Sequence, residues 1–100
     1  MRGRLPLEVR WLKRALANLE AEAEYISRDS PAAAQRMVAT IEQSLSYLAQ
    51  YPSLGRPGRV EGTRELVVPD TPYVIPYRVR GSSVEVLRVF HGARKWPPKL

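Results

Sequence analysis

A short stretch near the end of the chain carries the side chains best suited to chemistry. Val84–His91 is rich in β-branched residues and contains no Gly or Pro, which predicts a strand buried on much of both faces. A histidine, two cations and a tryptophan end or follow it: His91, Arg94, Lys95 and Trp96. Histidine can exchange protons near neutral pH, and the cations can bind anionic groups. A rigid strand that ends in such groups predicts a catalytic or binding surface.

The composition limits the class of protein. The 100 residues predict one domain, residues 1–100, with a single modest core. The chain has no Cys and one His, so we expect neither disulfides nor a metal site, and no phosphate-loop or dinucleotide motif predicts a cofactor. No apolar run approaches the ~18 residues of a membrane span. No apolar signal core follows the basic N-terminus, so we expect a cytoplasmic protein without membrane contact.

The positive charge is concentrated in the second half of the chain. Residues 1–50 carry seven Lys/Arg and six Asp/Glu, a net charge of +1, whereas residues 51–100 carry nine and four, a net charge of +5. This asymmetry favours an acidic partner or a nucleic-acid backbone that contacts the second half. The alternative is a basic surface that serves only solubility.

The first half of the chain predicts a strand and two helices. Leu7–Trp11 alternates apolar and charged residues, which favours a short strand that leads into a helix. Over residues 12–28, apolar side chains recur at three- and four-residue steps, which is typical of an amphipathic helix. Asp29-Ser30-Pro31 is a helix-start signal, and the second helix should end near Gln50, before a proline. The short join predicts an antiparallel helical hairpin.

The second half predicts a loop and three strands. Residues 51–62 hold three Gly and two Pro, a composition typical of a loop. Strands are predicted over residues 63–68, 73–79 and 84–91, joined by turns into an antiparallel meander. Pro76 cannot donate a backbone hydrogen bond, which predicts an edge or a bulge in the middle strand.

These elements together predict an α+β fold of order β-α-α-β-β-β. The helical hairpin is expected to pack on one face of an antiparallel sheet and to leave the other face partly exposed. Residues 1–6 and 97–100 lie outside the predicted elements, and we expect both segments to be flexible.

Short motifs spread along the chain follow a characteristic order. They are Trp11, Ala15, Asn18-Leu19, Tyr25-Ile26, Pro31-Ala32-Ala33, the spaced set Leu48, Pro52, Gly55 and Arg56, then Gly62–Leu66, Tyr73–Val79 and Leu87–His91. In their order and spacing these motifs resemble the RelE/ParE superfamily of bacterial toxins from type II toxin–antitoxin modules. The resemblance covers about residues 7–97, and the fold of the superfamily has the order of elements predicted above.

The resemblance implies a small intracellular toxin that inhibits growth when free. It implies an acidic, partly disordered antitoxin, encoded beside the toxin, that folds onto its helices and sheet in a heterotetramer or larger complex. RelE-like members cut messenger RNA in the ribosome, whereas ParE-like members block DNA gyrase without hydrolysis. A third alternative is a protein of this fold that has lost its toxicity and acts only by binding.

The RelE-like alternative implies a ribonuclease site. Attack by the RNA 2′-hydroxyl needs a base, cations for the phosphorane charge and an acid for the leaving oxygen. If the protein is a ribonuclease, the expected catalytic residues are His91, Arg94, Arg64 and Arg78. Alternation places Arg88 and His91 on opposite faces of an ideal strand, so these two residues act together only if the strand bends.

Departures from the RelE-like pattern favour the ParE-like alternative. RelE-like ribonucleases carry an arginine where this chain has Val74, and basic residues where it has Glu65 and Val67. Gly92 follows the histidine, in place of an aromatic residue that some of those enzymes use. These differences remove charge that the chemistry needs. We therefore expect a ParE-like toxin that is not a hydrolase, with Arg56, Arg59, Arg88, Lys95 and Trp96 as target-binding residues.

Structural roles remain as alternatives for several of these residues. His91 can be a hydrogen-bonded residue at a strand end. Arg64 with Glu65, or Arg78 with a carboxylate on a neighbouring strand, can form ordinary cross-strand pairs. Tyr73 and Tyr77 share a strand face with apolar residues, which favours a place in the core.

Overall fold

The computed structural model describes residues 5–100, which form two helices, a sheet and their connections. The sheet order is β1-β5-β4-β3-β2, and β6 pairs with the beginning of β4. The predicted α+β fold, with a helical hairpin on one face of a mostly antiparallel sheet, is confirmed. Residues 1–4, part of the segment expected to be flexible, lie outside the described residues. The elements are β1 (Glu8–Trp11), α1 (Lys13–Ser27), α2 (Pro31–Gln50), β2 (Arg56–Pro57), β3 (Arg64–Val67), β4 (Tyr73–Arg80), β5 (Ser83–Val86) and β6 (Phe90–His91).

The two helices begin in different ways. The N–H of Leu12 still donates to the Val86 carbonyl of the sheet, at 3.1 Å, so α1 starts directly where β1 ends. The second helix has a side-chain cap, because the Ser30 hydroxyl accepts the N–H of Ala33 at 3.1 Å. Pro31 then occupies the first turn, where its missing N–H costs nothing.

The core lies between the helical hairpin and one face of the sheet. The apolar stripes of α1 and α2 pack against alternate residues of β3, β4 and β5, as the period-two pattern requires. Tyr73 and Tyr77 are 4% and 0% exposed, so their predicted place in the core is confirmed. The buried cluster comprises Leu7, Ala15, Leu19, Met37, Ile41, Leu45, Leu48, Leu66, Val68, Tyr73, Ile75, Tyr77, Val84, Val86 and Val89.

The N-terminal strand adds a parallel pair to the sheet. β1 runs beside β5 with Glu8 opposite Ser83 and Trp11 opposite Val86. The predicted meander of three antiparallel strands is therefore extended at both edges, because β2 also pairs with β3 inside the segment predicted to be a loop. The connection between this parallel pair runs through both helices and then through β2, β3 and β4, and is far longer than the dozen residues that such a pair requires.

The prediction of one continuous strand over residues 84–91 is wrong. β5 ends at Val86, and pairing with β4 resumes only at Phe90. The Leu87 N–H donates to the Pro76 carbonyl at 2.9 Å, but Pro76 has no N–H to return. The ladder therefore breaks beside the proline. This break confirms the irregularity predicted at Pro76 and redirects the residues that follow β5.

The C-terminal segment folds back onto the rest of the molecule. The Trp96 ring packs on Phe90 with 4.6 Å between ring centroids. At the end of the chain, the Leu100 carbonyl oxygen accepts a hydrogen bond from the Arg14 guanidinium at 2.8 Å. The flexibility expected for residues 97–100 stays a prediction.

Candidate functional site

The face of the sheet that points away from the helices, which we call the open face, carries two buried carboxylates. Alternation turns Leu66 and Ile75 toward the helices and Glu65 toward the open face. Arg78 of β4 and Glu85 of β5 lie opposite each other on the same open face. Glu65 and Glu85 are only 4% and 6% exposed, so each carboxylate needs cationic partners.

Glu65 holds two arginines in place, Arg56 of β2 and Arg59 of the loop that follows β2. Its Oε1 accepts from Arg56 Nε and Nη2 at 3.2 and 3.0 Å, and its Oε2 accepts from Arg59 N and Nε at 3.1 and 3.2 Å. Burial raises the pKa of the Glu65 carboxyl, but the hydrogen bonds from Arg59 and Arg56 outweigh it, and the pKa is lowered. The carboxylate therefore stays ionised and fixes both guanidinium groups at the surface.

Glu85 forms the second charged centre of the open face. Arg78 Nε donates to its Oε1 at 2.7 Å, and Arg80 approaches the same oxygen at 3.9 Å. The hydrogen bond from Arg78 is the main cause that lowers the pKa of Glu85, and Arg80 and Arg10 add attraction. The cross-strand pair predicted as an alternative for Arg78 is confirmed. Glu65 pairs with Arg56 and Arg59, and not with Arg64.

Two aromatic rings and two arginines contact one another in a chain that begins at Arg59, a partner of Glu65. The guanidinium of Arg59 lies 3.6 Å from the centroid of the Trp96 ring, and Trp96 packs on Phe90. The guanidinium of Arg88 lies 4.7 Å from the centroid of the Phe90 ring. We call these four side chains the aromatic strip. The strip gives the basic surface a rigid apolar component.

Arg88 is tied to the first helix as well as to the strip. Its Nε donates to Asn18 Oδ1 at 2.9 Å, and the same oxygen accepts the N–H of Val89 at 3.2 Å. Burial, with a smaller contribution from Arg14, lowers the pKa of Arg88. Asn18 therefore fixes the irregular segment between β5 and β6 against α1.

His91 lies at the start of β4, next to Phe90 of the aromatic strip, in a second group that we call the His91 cluster. The His91 ring meets the Tyr73 ring edge-on at 5.9 Å. The Tyr73 hydroxyl donates to Glu22 Oε1 at 3.0 Å, and the other Glu22 oxygen forms an ion pair with Arg94. His91 Nδ1 accepts the N–H of Ala93 at 3.2 Å.

The His91 cluster contains one phenol that is difficult to ionise. Burial, followed by the hydrogen bond to Glu22, raises the pKa of Tyr73 to about 12. The sequence does not identify Glu22 as a site residue, because Glu22 is one of several polar residues on an amphipathic helix. Its partners Tyr73 and Arg94 are 51 and 72 positions away, and only the fold brings them together.

The structure brings together only two of the four residues expected for a ribonuclease. His91 and Arg94 share the His91 cluster, at the start of β4. Arg64 pairs opposite Tyr77, and its Nη1 donates to the Gly55 carbonyl at 2.8 Å. Arg78 bonds Glu85. The register puts Arg64 and Arg78 four to five residues along β4 from the His91 cluster, about 13 to 17 Å at 3.3 Å per residue.

The residues expected to bind a target are better assembled. Arg59, Arg88 and Trp96 form three of the four members of the aromatic strip, and Glu65 connects Arg56 to it through Arg59. Lys95 is exposed beside Trp96. The open face therefore presents cations at fixed positions around an aromatic centre, a combination suited to binding.

The described part of the chain has neither a cluster of metal ligands nor a helix that could cross a membrane. Over residues 5–100, His, Asp and Glu side chains nowhere gather in threes that could hold a metal ion. The two helices of the same region are also too short or too polar to span a bilayer.

Known proteins resemble the chain along most of its length. It is 49% identical over 92 residues to the putative toxin Y4kP of Sinorhizobium fredii. This alignment covers 92% of this chain and 95% of Y4kP. It is 42% identical to toxin RelE2 of Caulobacter vibrioides, with coverage of 87% and 97%.

Two solved structures share the fold. A chain of the chromosomal ParDE toxin–antitoxin system of P. aeruginosa superposes with a TM-score of 0.77 at 29% identity, covering 86% of this chain and 96% of that one. A chain of the RelBE2 toxin–antitoxin complex of Mycobacterium tuberculosis gives 0.60 at 26% identity, with coverage of 87% and 99%.

The fold and these relatives define the class as toxins of type II toxin–antitoxin systems in the RelE/ParE superfamily. The family described as ParE toxin of the type II toxin–antitoxin system parDE matches residues 9–96. The chain belongs to this ParE toxin family.

Proposed function

We propose that the free protein inhibits growth by binding DNA gyrase without hydrolysing a substrate, and that a cognate antitoxin neutralises it. The observation that carries the proposal is that three arginines expected for a ribonuclease site are already bonded within the protein. Arg78 and Arg94 are paired with carboxylates, and Arg64 is bonded to backbone carbonyls. Cations held in this way contribute to a fixed surface, whereas a phosphorane needs cations aimed at one empty position.

The distribution of these groups supports binding as well. Cleavage of RNA needs a base, an acid and positive charge within hydrogen-bond reach of one phosphate. His91 and Arg94 lie near one end of β4, and Arg64 and Arg78 near the other. A binding surface has no such requirement, because separate contacts can each hold part of a large partner.

The open face is the part of the protein that we assign to the target. The buried carboxylate of Glu65 orients Arg56 and Arg59, so less side-chain entropy is lost when these arginines bind. Trp96 lies under Arg59 and beside exposed Lys95. Aromatic and arginine side chains held in this way are the usual centres of binding energy in protein interfaces.

A gyrase assay with purified protein tests the proposal. We expect the wild-type protein to block supercoiling of relaxed plasmid DNA and to leave messenger RNA on translating ribosomes intact. Trp96→Ala should raise the concentration for half-inhibition about tenfold. Lys95→Ala should raise it several-fold, whereas Lys99→Ala, another exposed tail lysine, serves as the matched control. Circular dichroism confirms that each variant is folded.

The alternative function is ribosome-dependent cleavage of messenger RNA, and the His91 cluster is the observation that favours it. The cluster combines a histidine, a tyrosine, a carboxylate and an arginine at one end of the sheet. Message cleavage by the wild-type protein, lost in both His91→Ala and Arg94→Ala, would overturn the gyrase proposal. Unchanged growth, supercoiling and RNA would leave only a protein that binds its antitoxin.

A further inference from the structure

One cavity of the protein is strongly basic. It has a volume of about 660 Å³ and lies next to Arg78 of the open face, where the first turn of α1, the loop between β2 and β3 and the end of β4 meet. Four cations line it, Lys13, Arg14, Arg78 and Arg80, and Glu61 is the one carboxylate among the described residues that do so. We call it the basic cavity, and its charge is suited to an anion.

The excess of positive charge extends to the neighbouring strands. Glu85 is the second carboxylate nearby, but it is buried and already accepts from Arg78 at 2.7 Å. Arg10 of β1 lies close enough to help lower the pKa of Glu85, so five cations lie in or beside the cavity against two carboxylates. Within residues 5–100, the ion pairs leave both Lys13 and Arg14 without a carboxylate partner.

Two of these cations stand where they do not help the fold. Lys13 and Arg14 begin α1, whose first turn contains no acidic residue and has no side-chain cap. The N-terminus of a helix carries partial positive charge, so cations there disfavour the helix. Arg14 also repels Arg88 and contributes to its lowered pKa. A bound anion would relieve both repulsions, and a local conflict of this kind is typical of functional sites.

The cations of the cavity can reach an oxygen acceptor, and they continue along the open face. Arg14 Nη1 donates to the carbonyl oxygen of Leu100, which also lines the cavity. Leu87 of the cavity directly precedes Arg88, and from Arg88 the aromatic strip leads to Arg59. A series of separated cations fits a chain of phosphates better than it fits a single small ion.

We propose that the basic cavity binds a backbone phosphate of double-stranded DNA. Lys13, Arg14 and Arg80 contact the phosphate oxygens, and the positive end of α1 adds to the attraction. The choice of DNA as the occupant rests on the proposed function, because gyrase acts on DNA. The inference adds a second component to the target, since the toxin then contacts the DNA as well as the enzyme.

The affinity of the free protein for a short fluorescein-labelled DNA duplex tests the inference. Anisotropy should show that Arg14→Gln weakens binding about five- to tenfold at about 0.1 M salt, and Arg80→Gln should act in the same way. Each variant should also reduce the slope of log affinity against log salt concentration by about one, because one phosphate contact is lost.

Arg36→Gln is the matched control for net charge. Arg36 is an exposed arginine of a helix, as Arg14 is, but it lies outside the basic cavity. This variant should keep the affinity and the salt slope of the wild-type protein. Circular dichroism establishes that the three variants are folded.

The outcomes separate this inference from the proposed function. Equal losses in Arg14→Gln and Arg36→Gln would reflect net charge alone and overturn the site. An unchanged salt slope in Arg14→Gln overturns the phosphate contact. Tighter binding of an RNA duplex of the same length, with the same dependence on Arg14, overturns DNA as the occupant. Inhibition of gyrase without any binding to the duplex overturns this inference and leaves the proposed function. Binding to the duplex without inhibition of gyrase overturns only the proposed function, because DNA binding is measured without the enzyme.

Discussion

At the scale of single residues, Glu65 has the most influence on the open face. It is a buried carboxylate with four hydrogen bonds from two arginines. We expect Glu65→Gln to lower the free energy of unfolding at pH 7 by about 1–3 kcal/mol, because charge-assisted hydrogen bonds are lost around a buried group. Urea unfolding measures the change. Glu61→Gln, at an exposed position of the loop between β2 and β3, is the control and should have little effect.

The contribution of Glu65 also depends on pH in a defined direction. Its pKa in the folded protein is lowered from the ordinary value of 4.5, so folding favours the ionised form. The stabilisation is complete above that ordinary value and is lost as the pH falls through the lower pKa of the folded state. The difference in stability between the wild-type protein and Glu65→Gln should therefore shrink in acid. A difference that is constant from neutral to acidic pH would contradict this assignment.

Tyr73 gives a separate prediction at the alkaline end. Its pKa is raised to about 12, so folding favours the protonated phenol. This stabilisation is present below pH 10 and is lost as the pH rises toward 12. Tyr73→Phe should remove the phenol that titrates near pH 12 from an ultraviolet titration, and should cost about 1 kcal/mol at neutral pH through the lost bond to Glu22. Tyr25→Phe, at an exposed position, is the control.

At the scale of elements, one glycine fixes the turn that leads from α2 into the sheet. A Cβ at Gly55 would lie 2.6 Å from Tyr77 Cε1 and 2.9 Å from the Glu65 carbonyl oxygen. The Tyr77 hydroxyl accepts the N–H of Gly55 at 2.9 Å and donates to the Pro52 carbonyl at 2.6 Å. Gly55→Ala should therefore destabilise the protein by about 1–3 kcal/mol.

Thermal and urea unfolding test the prediction for Gly55. Gly92→Ala is a useful comparison, because a Cβ there would meet its nearest atom at 3.3 Å. It should cost distinctly less. Equal losses in the two variants would show that the close contact with Tyr77 has no special importance.

Local patterns in the sequence predict the elements well but not their distant partners. The capping signal at Ser30-Pro31 and the missing donor at Pro76 are local, and both predictions hold in the structure. The pairing of β1 with β5 and the position of Glu22 depend on contacts between distant parts of the chain. The alternation rule applies only to a regular strand. Because the strand predicted over residues 84–91 is interrupted, the contact of Arg88 with Asn18 could not be predicted from it.

At the scale of the whole molecule, the net charge of +6 should control how fast partners arrive. A field of this sign attracts an acidic protein before contact, and salt screens it. We expect the association rate with the antitoxin to fall roughly tenfold between low salt and 0.5 M salt, with a smaller change in the dissociation rate. Stopped-flow mixing separates the two rates. A salt effect confined to dissociation would contradict steering by the overall charge.

The parallel pair of β1 and β5 determines when during synthesis the protein can complete its sheet. Glu8 and its partner Ser83 are 75 positions apart. The ribosome therefore synthesises β1 early, and β1 cannot pair with β5 until most of the chain has been made. Contacts between such distant residues form late in folding. A ribosome that stops before Ser83 releases a chain without the strand that joins β1 to β4, and without Trp96 on the open face. Incomplete translation products should therefore be harmless to the cell, and toxicity should begin only with nearly finished chains.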